Sequence, residues 1–268
     1  MTWNEEAKTA LKMVTSSFEY FQNKNEIFET SAKETFRDIV TKYDIEIENN
    51  IIKLLENSSY KIIGEETKFK TDGSIEDGIY WVIDPIDGTV NFVNRLHYCG
   101  IAIGLCQITR GSIIPLVGAF GMPETKEIFF MDGNKASYLN GKRLNKKDYN
   151  LIDSLVVASF STKVRSKTSR EKEYLTFGEI NDSSRGVLRI GSATTAICYT
   201  SALRFQATYG LNIPIWDVIT GLAIAQGADL ESRIQFNFET MRVNFIIGSK
   251  RNVQEIHEIL IRNGLWMI

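Results

Sequence analysis

The chain has 268 residues, enough for one large domain or two smaller ones sharing a cleft. Its formal net charge of −2 supplies no global positive field to hold nucleic acid or an anionic membrane, so neither is expected as a partner. No stretch approaches the roughly 18 uninterrupted apolar residues of a spanning helix, and the start, Met1-Thr2-Trp3-Asn4-Glu5-Glu6, has early acidic residues and no apolar core of signal-peptide length.

In chain order, residues from about Trp3 to Glu29 predict a long helix with Ala10, Leu11, Val14, Phe18 and Phe21 near one face. A second helix is expected from about Thr41 to Asn57, ended by Asn57-Ser58-Ser59. Tyr60 to Ile63 reads as a short strand running into Gly64-Glu65-Glu66. Ile79 to Ile83 is an apolar strand that Asp84-Pro85 should end, because Pro85 lacks the amide hydrogen of a central ladder. Further strands are expected at Cys99 to Gln107, Ile113 to Phe120 and Glu127 to Met131, with turns at Asp132-Gly133 and Asn140-Gly141. The polar run Lys142 to Asn150 is read as a junction between an N-terminal α+β domain, 1–148, and a C-terminal α/β domain, 149–268. In the second part, strands at Ser154 to Phe160, Gly186 to Ile190, Phe205 to Tyr209 and Asn244 to Ile247 alternate with helices at Arg170 to Ile180, Ala193 to Leu203, Trp216 to Gln226 and Val253 to Asn263.

Cys99, Cys106 and Cys198 lack a C-x-x-C spacing and read as buried reduced thiols, which points to a cytoplasmic protein. With only His97 and His257 present, carboxylates are the expected metal ligands. Asp84 and Asp87 flank a turn after an apolar strand, Gly88 permits close backbone approach and Thr89 adds a hydroxyl. A helix starting near Gly88 would offer free amides to an anion. Glu65 and Glu66 follow another strand, Asp217 follows Trp216 at an expected helix start, and Asp38 and Asp44 bracket the second helix. Carboxylates at four element ends exceed what capping needs, and hard oxygen donors suit Mg²⁺ or Mn²⁺. Read alone, Thr89 is either a helix cap or a site hydroxyl, Asp44 an exposed helical carboxylate or a site base, and Ser192 a cap or a substrate contact. Arg95 and His97 fit either the site or a subunit contact.

Gly64-Glu65-Glu66, Trp81-Val82-Ile83-Asp84-Pro85-Ile86-Asp87-Gly88-Thr89-Val90-Asn91-Phe92 and Trp216-Asp217 resemble the inositol monophosphatase family in order and spacing. Asp38-Ile39-Val40-Thr41 with Asp44 is similar to its D-x-V-T-x-x-D segment, and Leu188-Arg189-Ile190-Gly191-Ser192-Ala193 to its substrate-side segment. The resemblance implies a layered αβαβα sandwich, an α/β fold often assembled as a homodimer. It implies Mg²⁺, two or three ions, on Glu65, Asp84, the Ile86 carbonyl, Asp87 and Asp217, with Glu66 reached through water. It implies that Asp44 and Thr89 activate water, with Glu65 and Asp87 also in the catalytic group. Gly88, Thr89, Gly191, Ser192, Ala193 and Asp217 would meet the substrate, a small phosphate ester. Millimolar Li⁺ would then inhibit.

The pattern departs at Gly210, seven residues before Asp217, where inositol-specific members carry a carboxylate for sugar hydroxyls. Losing such an acceptor costs on the order of 1–3 kcal/mol, which counts against inositol phosphate itself. Ile86 and Asn91-Phe92 look more like the inositol and sugar-phosphate branch of the family, so an inositol-phosphate-like or sugar phosphate is the expected substrate. The alternatives are a nucleoside 3′,5′-bisphosphate, histidinol phosphate, or a regulatory protein that keeps the fold without catalysis.

Overall fold

The computed structural model describes residues 2–21, 28–33, 36, 39–67, 75–161 and 166–266. Helix α1, Asn4–Ser16, buries Ala7, Ala10, Met13 and Val14 and passes into a 3₁₀ turn, Ser17–Phe21. It is shorter than the apolar spacing predicts. Thr15, Ser16 and Ser17 turn their hydroxyls back onto the carbonyls of Leu11 and Met13 at 2.9–3.0 Å, and such local bonds compete with helix propagation. The remainder of the expected helix runs into residues 22–27, outside the described residues, as is Asp38.

A small hairpin, β1 Thr30–Ala32 and β2 Ile39–Thr41, leads directly into α2, Lys42–Leu54. Thr41 starts this helix with a capping box. Its hydroxyl accepts from the Tyr43 amide, while Asp44 Oδ2 accepts from the Thr41 amide at 2.8 Å.

The larger sheet has seven strands in the order β3-β4-β5-β6-β7-β8-β9. These are Lys61–Gly64, Gly78–Asp87, Gly100–Thr109, Ser112–Met122, Glu127–Met131, Ser137–Leu139 and Lys142–Arg143. Only β3 and β4 pair in parallel. Strand β4 continues past the expected stop at Asp84 because Pro85 falls where its missing amide does no harm. Asp84 lies opposite Ala102 and Asp87 opposite Gly100, so Pro85 and Ile86 together face one residue of β5. This bulge has a consequence for side chains. Residues three apart on a regular strand point to opposite faces, but one extra residue makes the spacing even and brings Asp84 and Asp87 to the same face.

The second sheet has five strands, β11-β10-β12-β14-β13. They are β10 Leu155–Phe160, β11 Gly186–Leu188, β12 Ala207–Pro214, β13 Glu231–Asn237 and β14 Arg242–Gly248. β10 runs parallel to both β11 and β12. β13 was not expected from the sequence. It is an edge strand whose residues are exposed or half-buried, and its apolar alternation is short, Ile234 and Phe236 among polar neighbours.

Layering follows from which faces are apolar. α1 and α2 cover one face of the large sheet. Between the sheets lie α5, Ala193–Ser201, and α6, Ile219–Gly227, both buried along nearly their whole lengths, α6 mostly apolar and α5 carrying buried threonine and serine hydroxyls. α4, Lys167–Asp182, and α7, Lys250–Arg262, cover the outer face of the small sheet. The result is the expected αβαβα sandwich, and α6 seats directly on β5 and β6 of the other sheet. The sequence places the start of α6 at Trp216, but it forms three residues later, leaving Trp216 and Asp217 in the turn before it.

The Ala223 Cβ lies 2.8 Å from where a Cβ on Gly118 of β6 would stand, so helix and sheet touch almost backbone to backbone. Ala223→Leu should lift α6 off the sheet and cost about 1–3 kcal/mol in urea unfolding. Unchanged stability would mean that this contact is looser than the packing indicates.

Candidate active site

The two sheets, the turn after β3 and the turn before α6 bring acidic side chains to one place. Carboxylate oxygens of Glu65, Asp84 and Asp217 lie within 4.8 Å of one another. Glu65 is held there by its backbone, since its amide donates to the Ile83 carbonyl at 3.1 Å, continuing the β3–β4 ladder by one residue. Asp84 is buried, and its Oδ1 accepts from the Ile86 amide at 3.1 Å, which closes the bulge as a tight turn. Asp217 is half-buried. Its carbonyl accepts from Thr194 Oγ1 at 2.9 Å, tying its turn to the start of α5.

Asp87 faces the same space but is anchored differently. Its Oδ2 accepts from the Ser192 hydroxyl and from the amides of Thr194 and Thr195 at 3.0 and 3.3 Å. A negative charge at the first turn of α5 is favoured by the unsatisfied amides there. Ser192 also caps α5, accepting from the Thr195 amide at 3.1 Å, and Ala193 opens the helix with its side chain buried. Gly191 precedes them in a left-handed conformation. Asn91 stitches this segment to the motif loop, donating from Nδ2 to the carbonyls of Tyr98 and Ile190, each at 2.7 Å.

Gly88 is required by geometry. Its φ is +87°, and a Cβ there would meet the Tyr98 carbonyl oxygen at 2.6 Å. It caps the short helix α3, Thr89–Val93. Thr89 Oγ1 lies 3.2 Å from Asp44 Oδ1 and 3.1 Å from the Ile86 carbonyl, and its one proton serves either acceptor. Asp44 is fully buried and is held in place by the Thr41 amide and hydroxyl at 2.8 and 2.6 Å.

Every sequence-predicted acidic residue in the described part therefore converges on this region. Three contributors carried no sequence signal of their own. Lys33, just past β1, sets its ammonium between Glu65, at 2.7 Å, and Glu66. Asn91 stands in the sequence only as one member of the Trp81–Phe92 run. Glu48 of α2 is a fully buried carboxylate whose only sequence trace is its place among the helix's buried residues, between Ile47 and Ile51. Arg95 stacks over Phe28 and His97 is exposed.

Gly210 sits on β12 opposite Phe245 of β14. A Cβ there would run into the Phe245 ring and approach Ile213 Cγ1 at 3.0 Å. Both positions are fully packed, so Phe245 fills the volume that a longer side chain at 210 would need.

Crowding of carboxylates away from water shifts their proton affinities. Burial, then the neighbouring Glu65 and Asp87 charges, push Asp84 and Asp217 well above the ordinary carboxylate range. Burial lifts Asp87 to about 6 against the pull of Ser192 and the α5 amides, and lifts Asp44 to about 6 against its two bonds from Thr41. Burial and the Glu65 charge raise Glu66 to about 7. Burial alone would lower the Lys33 pKa, but the Glu65 and Glu66 carboxylates outweigh it and drive it up.

These hard oxygen donors, arranged around a site that already attracts an ammonium, fit a divalent cation of the Mg²⁺ type. In the metal-free protein the raised groups keep protons that the unfolded chain releases near its usual ~4. Their contribution to stability is therefore full below about pH 4 and is lost as pH rises through about 6 to 7. Metal-free protein should melt at a lower temperature at about pH 7.5 than at about pH 5.5, with Mn²⁺ raising the melting temperature more at the higher pH. A melting temperature that rises over this interval in the presence of chelator would contradict this.

The sequence matches the model of the inositol monophosphatase family over residues 3–232. It is 26% identical to an inositol-1-monophosphatase of Caulobacter vibrioides over 227 residues, 83% of this chain and 86% of that one. Among solved structures, the Thermotoga maritima IMPase superposes with a TM-score of 0.78 at 21% identity, covering 97% of this chain and 100% of the other. An IMPase/NADP phosphatase complexed with Mg²⁺ and phosphate superposes with a TM-score of 0.71 at 20% identity, covering 90% and 89%. With its αβαβα fold and its match across most of its length, the chain belongs to the inositol monophosphatase family and is a phosphoric monoester hydrolase.

Proposed function

We propose that this enzyme hydrolyses a small soluble phosphate monoester, inositol-phosphate-like or a sugar phosphate, using water activated at a Mg²⁺ centre. The observation that carries this reading is the approach of Glu65, Asp84 and Asp217 oxygens to within 4.8 Å in a largely buried site. The relative solved with Mg²⁺ and phosphate supports the same choice of ion. Glu65, Asp84 and the Ile86 carbonyl would hold one ion, and Asp84, Asp87 and Asp217 a second. A third would lean on Glu65 and, through water, on Glu66. Mn²⁺ is the expected substitute. When bound, such ions offset the phosphate's negative charge and lower the pKa of water.

The chain's own groups complete the reaction. Thr89 Oγ1 orients the attacking water and passes its proton toward Asp44 Oδ1, 3.2 Å away. With a pKa lifted to about 6, Asp44 is ionised near neutrality yet basic enough to accept that proton. The Gly88 and Thr89 amides receive the phosphate, and Gly191, Ser192 and Ala193 line the substrate side. Segments 1–148 and 149–268 act as two halves sharing this site. A homodimer in the cytoplasm and inhibition by Li⁺ complete the reading. A structural relative, the Staphylococcal inositol monophosphatase-1, has been solved as a LiCl-soaked inhibitory complex, which supports the last point.

Phosphate release should be measured with Mg²⁺ across inositol phosphates, fructose 1,6-bisphosphate, other sugar phosphates, adenosine 3′,5′-bisphosphate and histidinol phosphate. Turnover is expected with an inositol or sugar phosphate, and no release from any substrate would overturn the proposal. Asp84→Asn should reduce the best activity at least about a hundredfold. Thr89→Ala should lower kcat by about 10²–10⁴ while Thr89→Ser keeps most of it. Full activity in Thr89→Ala would remove Thr89 from the proton path.

A further inference from the structure

Helix α2 carries two fully buried carboxylates, Asp44 and Glu48, four residues apart and so on one face. Asp44 serves Thr89. Glu48 is absorbed by neither the proton path nor the proposed ligand set, yet each of its two oxygens holds a backbone amide. Its Oε2 accepts from the Glu66 amide at 2.9 Å and its Oε1 from the Thr67 amide at 2.7 Å. Bonds from backbone amides to an ionised carboxylate are among the stronger ones a protein makes.

Three successive amides after β3 are thereby fixed. That of Glu65 is taken by the Ile83 carbonyl of β4, and those of Glu66 and Thr67 by Glu48. The same carboxylate covers Gly64, where a Cβ would meet Oε1 at 2.5 Å, so the glycine and the glutamate fit each other. A buried anion beside Glu65 and Glu66 is an expensive way to pack a helix on a turn, because apolar residues of similar volume avoid the desolvation cost. An apolar residue could not hold two amides.

We propose that Glu48 is a positioning residue: by clamping the Glu65–Glu66 turn it holds the Glu65 carboxylate against those of Asp84 and Asp217, and so sets the affinity of the site for a divalent cation. This rests on the reading of the site as a divalent-cation centre. Groups that orient metal ligands from behind typically govern affinity by about 10–100-fold.

The test is a calorimetric titration of metal-free protein with Mn²⁺, comparing wild type, Glu48→Gln and Glu48→Asp, with hydrogen exchange of the Glu66 and Thr67 amides followed in parallel. Glutamine has the same shape but turns an NH₂ toward one of the amides, and aspartate keeps the charge on a shorter stem. Glu48→Gln is expected to bind Mn²⁺ about 10–100-fold more weakly and to exchange these two amides faster. Glu48→Asp should fall between, and it carries the same comparison if the glutamine variant does not fold. The Mn²⁺ concentration for half-maximal activity should rise more than kcat at saturating Mn²⁺ falls. A lower melting temperature with unchanged Mn²⁺ affinity would mean that Glu48 only packs the turn, and would overturn the proposal alone. Wild type that binds no Mn²⁺ would overturn it together with the metal reading.

Discussion

Like charges brought together away from water repel, and the rest of this structure is organised around holding Glu65, Asp84, Asp87 and Asp217 together despite that. Burial and mutual repulsion raise the proton affinities of Asp84, Asp87 and Asp217. The fold answers with rigid anchors. A bulge in β4 turns Asp84 and Asp87 to one face, the first turn of α5 grips Asp87, and the β3–β4 ladder extends to Glu65. Lys33 places an ammonium against Glu65 and Glu66. A divalent cation relieves the same repulsion more completely, with oxygen donors on several sides of it.

On the proposed reading the site divides into a part that handles phosphate and a part that handles the alcohol. The carboxylates, Gly88, Thr89 and Asp44 are suited to breaking a phosphate ester. On the same reading the alcohol side departs from the inositol-specific pattern at Gly210. Phe245 has grown into the space beside it, so an acceptor could not be restored there by one substitution without displacing the ring. The site therefore says more about the bond that is broken than about the molecule that carries it.

Much of this was legible in the sequence because the acidic residues lie in short contiguous patterns at strand and helix ends. Asp84 to Thr89 announces itself within six residues, and Gly64-Glu65-Glu66 and Trp216-Asp217 are compact pairs. The two central helices and most strands were also recoverable from apolar runs. What was hidden depends on distance or on competition. Lys33 meets Glu65 across 32 positions, and Glu48 meets Thr67 across 19, with nothing local to mark either pair. Pro85 has the local signature of a stop, because the bulge that accommodates it is a property of two strands rather than one. The first helix ends early because three successive hydroxyl residues bond backward, and β13 is hidden because its alternation is only Ile234 and Phe236 among polar residues on an edge.

The most direct test of the central claim is anomalous diffraction from crystals soaked in Mn²⁺. The account predicts an anomalous peak about 2.1 Å from carboxylate oxygens of Glu65 and Asp84, with the Lys33 ammonium displaced from Glu65. A saturating soak that leaves no peak among Glu65, Asp84 and Asp217, with Lys33 still bonded to both glutamates, would contradict it.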